Sequence, residues 1–262
     1  MKKTFIVYIL LLIFISGAVA QVDEIKEASN KNDSLKSNVP DGKTNGDDGC
    51  LSDACGAACA SGCFDWVLEY AIFGIVKLHQ FQLEKRNEIP EVVSLELMPH
   101  FGYAEPSSSM LLPRIRGNWG LFSTDFRFSN MTEYGTADGT DFLNTIDWQI
   151  LEFNFVVTKP VIVRLGTGLM YEFHNSNTFM EHFLGIDGTW KDHQYLASAE
   201  ARIAKDYYTG ATPRFEGNLR MNYRIMETAH MDGYAMIGSI YQNCYNSVDV
   251  WTAQAGFAFN FH

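Results

Sequence analysis

The last residues of the chain, Asp249-Val-Trp-Thr-Ala-Gln-Ala-Gly-Phe-Ala-Phe-Asn-Phe-His262, are two interleaved series. Trp251, Ala253, Ala255, Phe257, Phe259 and Phe261 take alternate positions, and Thr252, Gln254, Gly256, Ala258, Asn260 and His262 take the others. Because successive side chains of a strand point to opposite sides, this spacing predicts a strand with one apolar and one wet face.

The same alternation runs upstream as far as Val92. It is clearest over Arg214 to Ile225, where Phe215, Gly217, Leu219, Met221, Tyr223 and Ile225 alternate with Arg214, Glu216, Asn218, Arg220, Asn222 and Arg224. Strands are expected over residues 92–103, 110–118, 120–130, 144–158, 160–173, 178–190, 193–205, 212–226, 231–242 and 248–261. That gives ten strands, or eight if two of the weaker ones are loops. Within Ile146 to Val157 the apolar set moves from even to odd positions near Ile150-Leu151, as a β-bulge would make it do.

A membrane barrel and a secreted soluble β-protein both alternate in this way, so other features decide between them. The connections alternate longer and shorter. EPSSS, MTEYGTADGTD, HNSN, DYYTGATP and NCYNS lie at one end, and NWG, TKP, GTWKD and ETAHMD at the other. Long outer loops and short periplasmic turns are the habit of membrane barrels. Aromatic residues such as Trp119, Trp148, Trp190, Tyr223 and Trp251 gather near strand ends, where interfacial girdles belong. The polar face carries both signs, among them Arg114, Asp125, Arg127, Glu200, Arg202 and Glu216, which suits an interior filled by ion pairs.

The pattern Gln254-x-Gly256-x-x-Phe259-x-Phe261 resembles the C-terminal signal of bacterial outer-membrane β-barrel proteins, with His262 added after the last Phe. The resemblance implies an all-β, antiparallel up-and-down transmembrane barrel in the bacterial outer membrane. Outer-membrane lipid and the barrel assembly machinery would be its partners.

The N-terminus fits that address. Lys2 and Lys3, an apolar run from Phe5 to Ile15 and Ala18-Val19-Ala20 make residues 1–20 an export signal cleaved before Gln21. Losing those two lysines takes the formal net charge from −11 down two units to −13, so nucleic acid is a poor partner. Residues 21–49 are polar and nearly free of large apolar side chains, and are expected to be a disordered linker. Residues 50–90 form a Cys-rich segment and a helix over Phe64 to Arg86, and residues 91–262 form the barrel. That helix is expected to pack on the barrel or to lie at a membrane surface. A periplasmic partner through residues 21–90 is also expected.

Cys50, Cys55, Cys59 and Cys63 cluster in an oxidising compartment and read first as two disulfides, with free thiols and a metal or cluster site as the alternatives. On a helix Cys55 and Cys63 would stand about 12 Å apart along the axis, too far to share one ion with bonds of about 2.3 Å. Cys244 is expected in an outer loop. No cofactor is expected.

His174-x-Ser176-Asn177 resembles the His-x-Ser-Asn core of the outer-membrane lipid A 3-O-deacylases. It implies Ser176 as nucleophile and His174 as its base, with Asp187, or the nearer Glu181, as the orienting acid. The leading expectation remains a non-enzymatic barrel with a structural, adhesion or assembly role and a lumen filled by side chains. A lipid-directed esterase at the outer rim is the alternative.

Overall fold

The computed structural model describes residues 22–37, 60–104, 108–136 and 139–262. Its strands are β1 (Val93–Met98), β2 (His100–Ala104), β3 (Ser108–Leu111), β4 (Arg114–Trp119), β5 (Phe122–Thr136) and β6 (Gly139–Val157). They continue as β7 (Val161–Glu172), β8 (Asn177–Trp190), β9 (Tyr195–Lys205), β10 (Arg214–Glu227), β11 (Met231–Cys244) and β12 (Val248–Phe261). Among the described residues two α-helices precede them, α1 (Val22–Ser37) and α2 (Ala60–Glu84).

Every pairing is antiparallel, and the sheet closes on itself as a barrel of ten staves. The first stave is β1 followed by β2. Pro99 lies between them and has no N–H to give the ladder, yet its carbonyl accepts the Phe257 N–H at 3.1 Å, so β12 pairs with both halves. The second stave, β3 with β4, is broken in the same way at Leu112-Pro113. The Leu112 N–H donates to the His100 carbonyl at 2.9 Å and the Pro113 carbonyl accepts from Phe128 at 3.1 Å. The prolines therefore account for the two strands beyond ten.

Which face of each stave is greasy decides what the barrel can contact. Along β10 the outward Leu219 is 61% exposed, whereas the adjacent inward Asn218 is 2% exposed and Glu216 fully buried. β12 follows its sequence pattern, with Trp251, Ala253, Ala255 and Phe257 outward and Thr252, Gln254 and Asn260 inward. The molecule is thus inside out relative to a soluble protein, with aliphatic and aromatic side chains on its outer wall and ionised side chains in its interior. A wall of this kind matches hydrocarbon, which closed barrels can cross because no backbone edge is left unpaired.

The bulge forms where the alternation slips. The register of β6 against β7 shifts between Trp148 and Leu151, so Gln149 and Glu152 both point inward while Ile150 and Leu151 are both exposed. Gly168 faces this step, where a Cβ would collide with the Trp148 carbonyl.

Several expectations are corrected. The 131–141 segment is not a long loop. β5 and β6 keep pairing from Met131↔Leu143 to Thr136↔Gly139, because β-formers such as Thr132, Tyr134, Thr140 and Phe142 extend the ladder as a protruding hairpin. Cys244 is not a loop residue either; it ends β11 and is buried, and a tight turn with φ 53° at Tyr245 and 55° at Asn246 leads into β12. Residues 22–37 of the expected disordered linker are helical, because the barrel supplies the burial that the segment lacks by itself. The export signal, Cys50, Cys55, Cys59 and the side chain of Cys63 lie outside the described residues.

Candidate functional site

The inward positions of the staves meet in the middle of the lumen. Arg114 on β4 holds Asp125 of the neighbouring β5, with Nε 2.8 Å from Oδ1. Its other branch reaches Glu200 on β9, half the ring away, with Nη1 2.9 and 2.8 Å from the two carboxylate oxygens. Arg127 on β5 does the same. It donates to Asp147 on β6 at 2.8 Å and, across the lumen, to Glu216 on β10 at 2.9 Å. Arg202, Arg214 and Arg220 link these knots, reaching Asp125, Asp147 and Glu200 respectively, each at 2.5 Å.

Why arginine fills these positions follows from its shape. The planar guanidinium carries several donors in a fixed fork and can bridge two carboxylates at once, which a lysine ammonium cannot match. Burying isolated charges of this kind would cost several kcal/mol per ion. Here each guanidinium has an acid within reach, so the charges neutralise one another in place. The lumen is a solid ionic plug.

Each mouth has its own cover. At the end where β11 turns into β12, α1 presents Val22, Ile25, Ser29 and Asn32 to the barrel, spaced three, four and three residues apart along one helical face. The Val22 N–H donates to Glu133 at 2.6 Å, Ser29 Oγ and Tyr245 Oη donate to Glu172 at 2.5 and 2.8 Å, and Asn32 donates to Asp206 at 2.9 Å. Lys26 pairs with Asp141, and Lys36 lies 3.2 Å from Asp206. Burial pushes the Asp206 carboxyl up, but hydrogen bonds from Asn32, the Tyr208 N–H and Lys36 outweigh it and hold the group below its ordinary value. Beneath α1 lies an apolar layer that includes Met110, Leu112, Leu143, Val250 and Cys244.

At the opposite mouth the chain between α2 and β1 closes the opening. Ile89 and Val92 pack on Val157 and Ile162, with Leu83 of α2 against them, and Gln82 donates to the Asn154 carbonyl at 2.9 Å. Glu91 meets His193 of the β8–β9 turn at 2.7 Å. That contact raises the imidazole above its ordinary value, with burial opposing it.

The residues of the deacylase-like pattern are not gathered into a triad. His174 and Ser176 sit in the β7–β8 turn under α1, where His174 Nε2 lies 3.2 Å from Asn30 Oδ1 and Ser176 has φ 55°. Asp187 pairs in register with Ile162, at the far end of β7 from that turn, and is held by Arg164 and by Ser198 at 2.5 Å. Glu181 is engaged in the lumen, accepting from Arg214 at 2.6 Å and from Gln149 at 2.5 Å. His182, outward on β8, lies 2.8 Å from Tyr207 Oη.

Sequence reasoning missed α1, whose buried face is half polar, and the pairing of opposite walls. The only sequence signal for α1 is the spacing of Val22, Ile25, Ser29 and Asn32, with Asp23 and Glu24 in its first turn and Lys36 in its last.

No family model matches the chain, and no curated protein matches it. Among solved structures it is similar to the KdgM porin, at 12% identity and a TM-score of 0.33, over 65% of this chain and all of that one. It is also similar to the N-terminal β-barrel domain of Pseudomonas aeruginosa OprF, at 12% identity and a TM-score of 0.30, over 64% of this chain and 97% of that one. A third is Pseudomonas aeruginosa OccK11, at 11% identity and a TM-score of 0.32, over 64% and 57% of the two chains.

Proposed function

We propose that this chain is a sealed bacterial outer-membrane barrel with a structural role, a membrane anchor for its N-terminal extension rather than a diffusion pore. The carrying observation is the charge network that joins opposite walls, Arg114 to Glu200 and Arg127 to Glu216. A solute path would have to break several buried ion pairs, each worth more in a water-poor interior than at a surface. The two capped mouths support the same reading. The export signal and the terminal aromatic pattern support the address, with outer-membrane lipid and the barrel assembly machinery as partners; of residues 21–90, α1 is committed to the long-loop mouth, which leaves the segment around α2, at the short-turn mouth, for a periplasmic partner.

Planar-bilayer recording tests it. Purified protein inserted into the bilayer is expected to give no resolved conductance steps. Deletion of residues 22–37 alone is expected to leave the barrel non-conducting, because the charge network and the segment between α2 and β1 still close the path. Stable steps from the unaltered protein would overturn the proposal.

A further inference from the structure

Among the described side chains of α2, His79, Gln82 and Leu83 near its C-terminal end meet the barrel. Ile72, Phe73, Ile75, Val76, Leu78 and Phe81 are all exposed, at 40 to 59%. At about 100° per residue, Glu69, Lys77, Gln80 and Glu84 fall within one arc of roughly 80°. Ile72, Ile75, Leu78 and Phe81 spread over the opposite side. Phe73 interrupts the charged arc, but the exposed apolar side chains still cover most of the helix surface, as on a helix lying at a water–lipid boundary.

Two further observations say what covers the apolar arc. The first is continuity with the outer wall. The His79 ring lies 5.6 Å from Phe122, Phe122 lies 5.5 Å from Phe153, and Phe153 lies 6.0 Å from Phe155, which is 53% exposed on the lipid-type wall. The foot of α2 is therefore joined to the barrel's apolar belt by an unbroken run of rings. The second is the way the lysines sit. Lys77 Nζ lies 5.4 Å above the Phe73 ring and Lys85 Nζ 4.3 Å above Phe81, in two pairs with the same four-residue spacing. In each pair the ammonium lies over a ring, and the long methylene stem of a lysine lets its charge reach a headgroup layer from beside apolar side chains.

We infer that α2 is an interfacial helix that lies on the bilayer leaflet beside the base of the barrel, with Ile75 and Leu78 in the acyl region and Lys77 at the headgroups. It extends the barrel's membrane contact sideways at one leaflet only. The inference rests on the barrel itself standing in the bilayer.

Photocrosslinking in vesicles of phosphatidylcholine and phosphatidylglycerol tests it, with the full-length protein carrying benzoylphenylalanine at one position at a time and radiolabelled phosphatidylcholine in the bilayer. Ile75 and Leu78 are expected to give lipid adducts at levels like that of Phe155, and at least about fivefold above Gln80. Labelling at Phe155 with Ile75 and Leu78 no better than Gln80 would overturn the interfacial helix and leave the membrane barrel standing. No lipid adduct at Phe155 would remove the barrel's membrane setting and the inference with it. Adducts from Ile75 and Leu78 to a second copy of the chain in place of lipid would also overturn it.

Discussion

Arg114 and Glu200 sit half a ring apart on β4 and β9, yet the Arg114 Nη1 lies 2.9 and 2.8 Å from the two carboxylate oxygens of Glu200. Both side chains are almost wholly buried. A barrel of ten staves is narrow enough for two long side chains to meet across it, and here they do. The lumen of this protein is thereby a load of mutually neutralised charge, and its stability depends on the pairs staying complete.

That dependence is sharpest at Arg127, which joins Asp147 and Glu216. Arg127→Met leaves Glu216 short of a partner in a dry site and is expected to destabilise the barrel by about 3–5 kcal/mol. Arg127→Met with Glu216→Met removes both members and is expected to recover most of that loss, since Asp147 keeps Arg214. Urea-induced unfolding in lipid vesicles, followed by heat-modifiable gel migration, gives the comparison. A double variant no more stable than the single one would mean that the pair is not an independent unit.

Removing α1 should uncover what lies beneath it. Cys244 is 5% exposed in the apolar layer that Val22 and Ile25 cover. With Cys50, Cys55, Cys59 and Cys63 changed to serine, Cys244 is expected to resist maleimide in the folded protein and to react at least about tenfold faster after deletion of residues 22–37, as local opening governs access to a buried group. Equal rates before and after deletion would show that α1 does not cover the mouth.

The stave count and the face of each strand were legible because period two is written residue by residue. Trp251 to Phe261 and Phe215 to Ile225 needed no tertiary information. Even the slip at Ile150-Leu151 could be read, since two consecutive apolar residues break the alternation. The breaks at Pro99 and Leu112-Pro113 escaped notice because a proline in a strand says only that one N–H is missing, and not whether the neighbours keep pairing. Helix α1 escaped because its buried face includes Ser29 and Asn32, which only a polar mouth lined by Glu172 and Asp206 makes worth burying. Cross-lumen partners such as Arg114 and Glu200 depend on how far each stave is staggered around the ring, a quantity no single strand carries.

The two faces of β10 are expected to tolerate polar side chains unequally. Leu219 faces outward, so Leu219→Arg places a charge against hydrocarbon and is expected to cost about 2–4 kcal/mol if it sits near the bilayer midplane. Asn218 faces the lumen and accepts a hydrogen bond from Gln254 at 2.7 Å. Asn218→Gln keeps an amide at that lumen position without adding charge and is expected to cost less. Vesicle-based unfolding titrations of the two variants decide the matter, and equal losses would contradict the assigned faces.

The base of the barrel carries a pH-sensitive contact. His193 Nδ1 lies 2.7 Å from Glu91, and this carboxylate raises the imidazole above its ordinary value near 6.5, against the opposing effect of burial. A group whose folded value is raised stabilises the fold fully below its unfolded value and loses that contribution as pH rises through the folded one. The stabilisation is therefore present at mildly acid pH and fades above about 6.5. Because Glu91 lies in the segment that closes this mouth, the loss is local, and the segment between α2 and β1 is expected to loosen first. Hydrogen exchange of residues 85–92 should quicken between mildly acid and mildly alkaline pH beyond the intrinsic rate change, and His193→Gln should abolish the difference. If the protein and the variant show the same corrected pH profile, this contact does not hold the mouth closed.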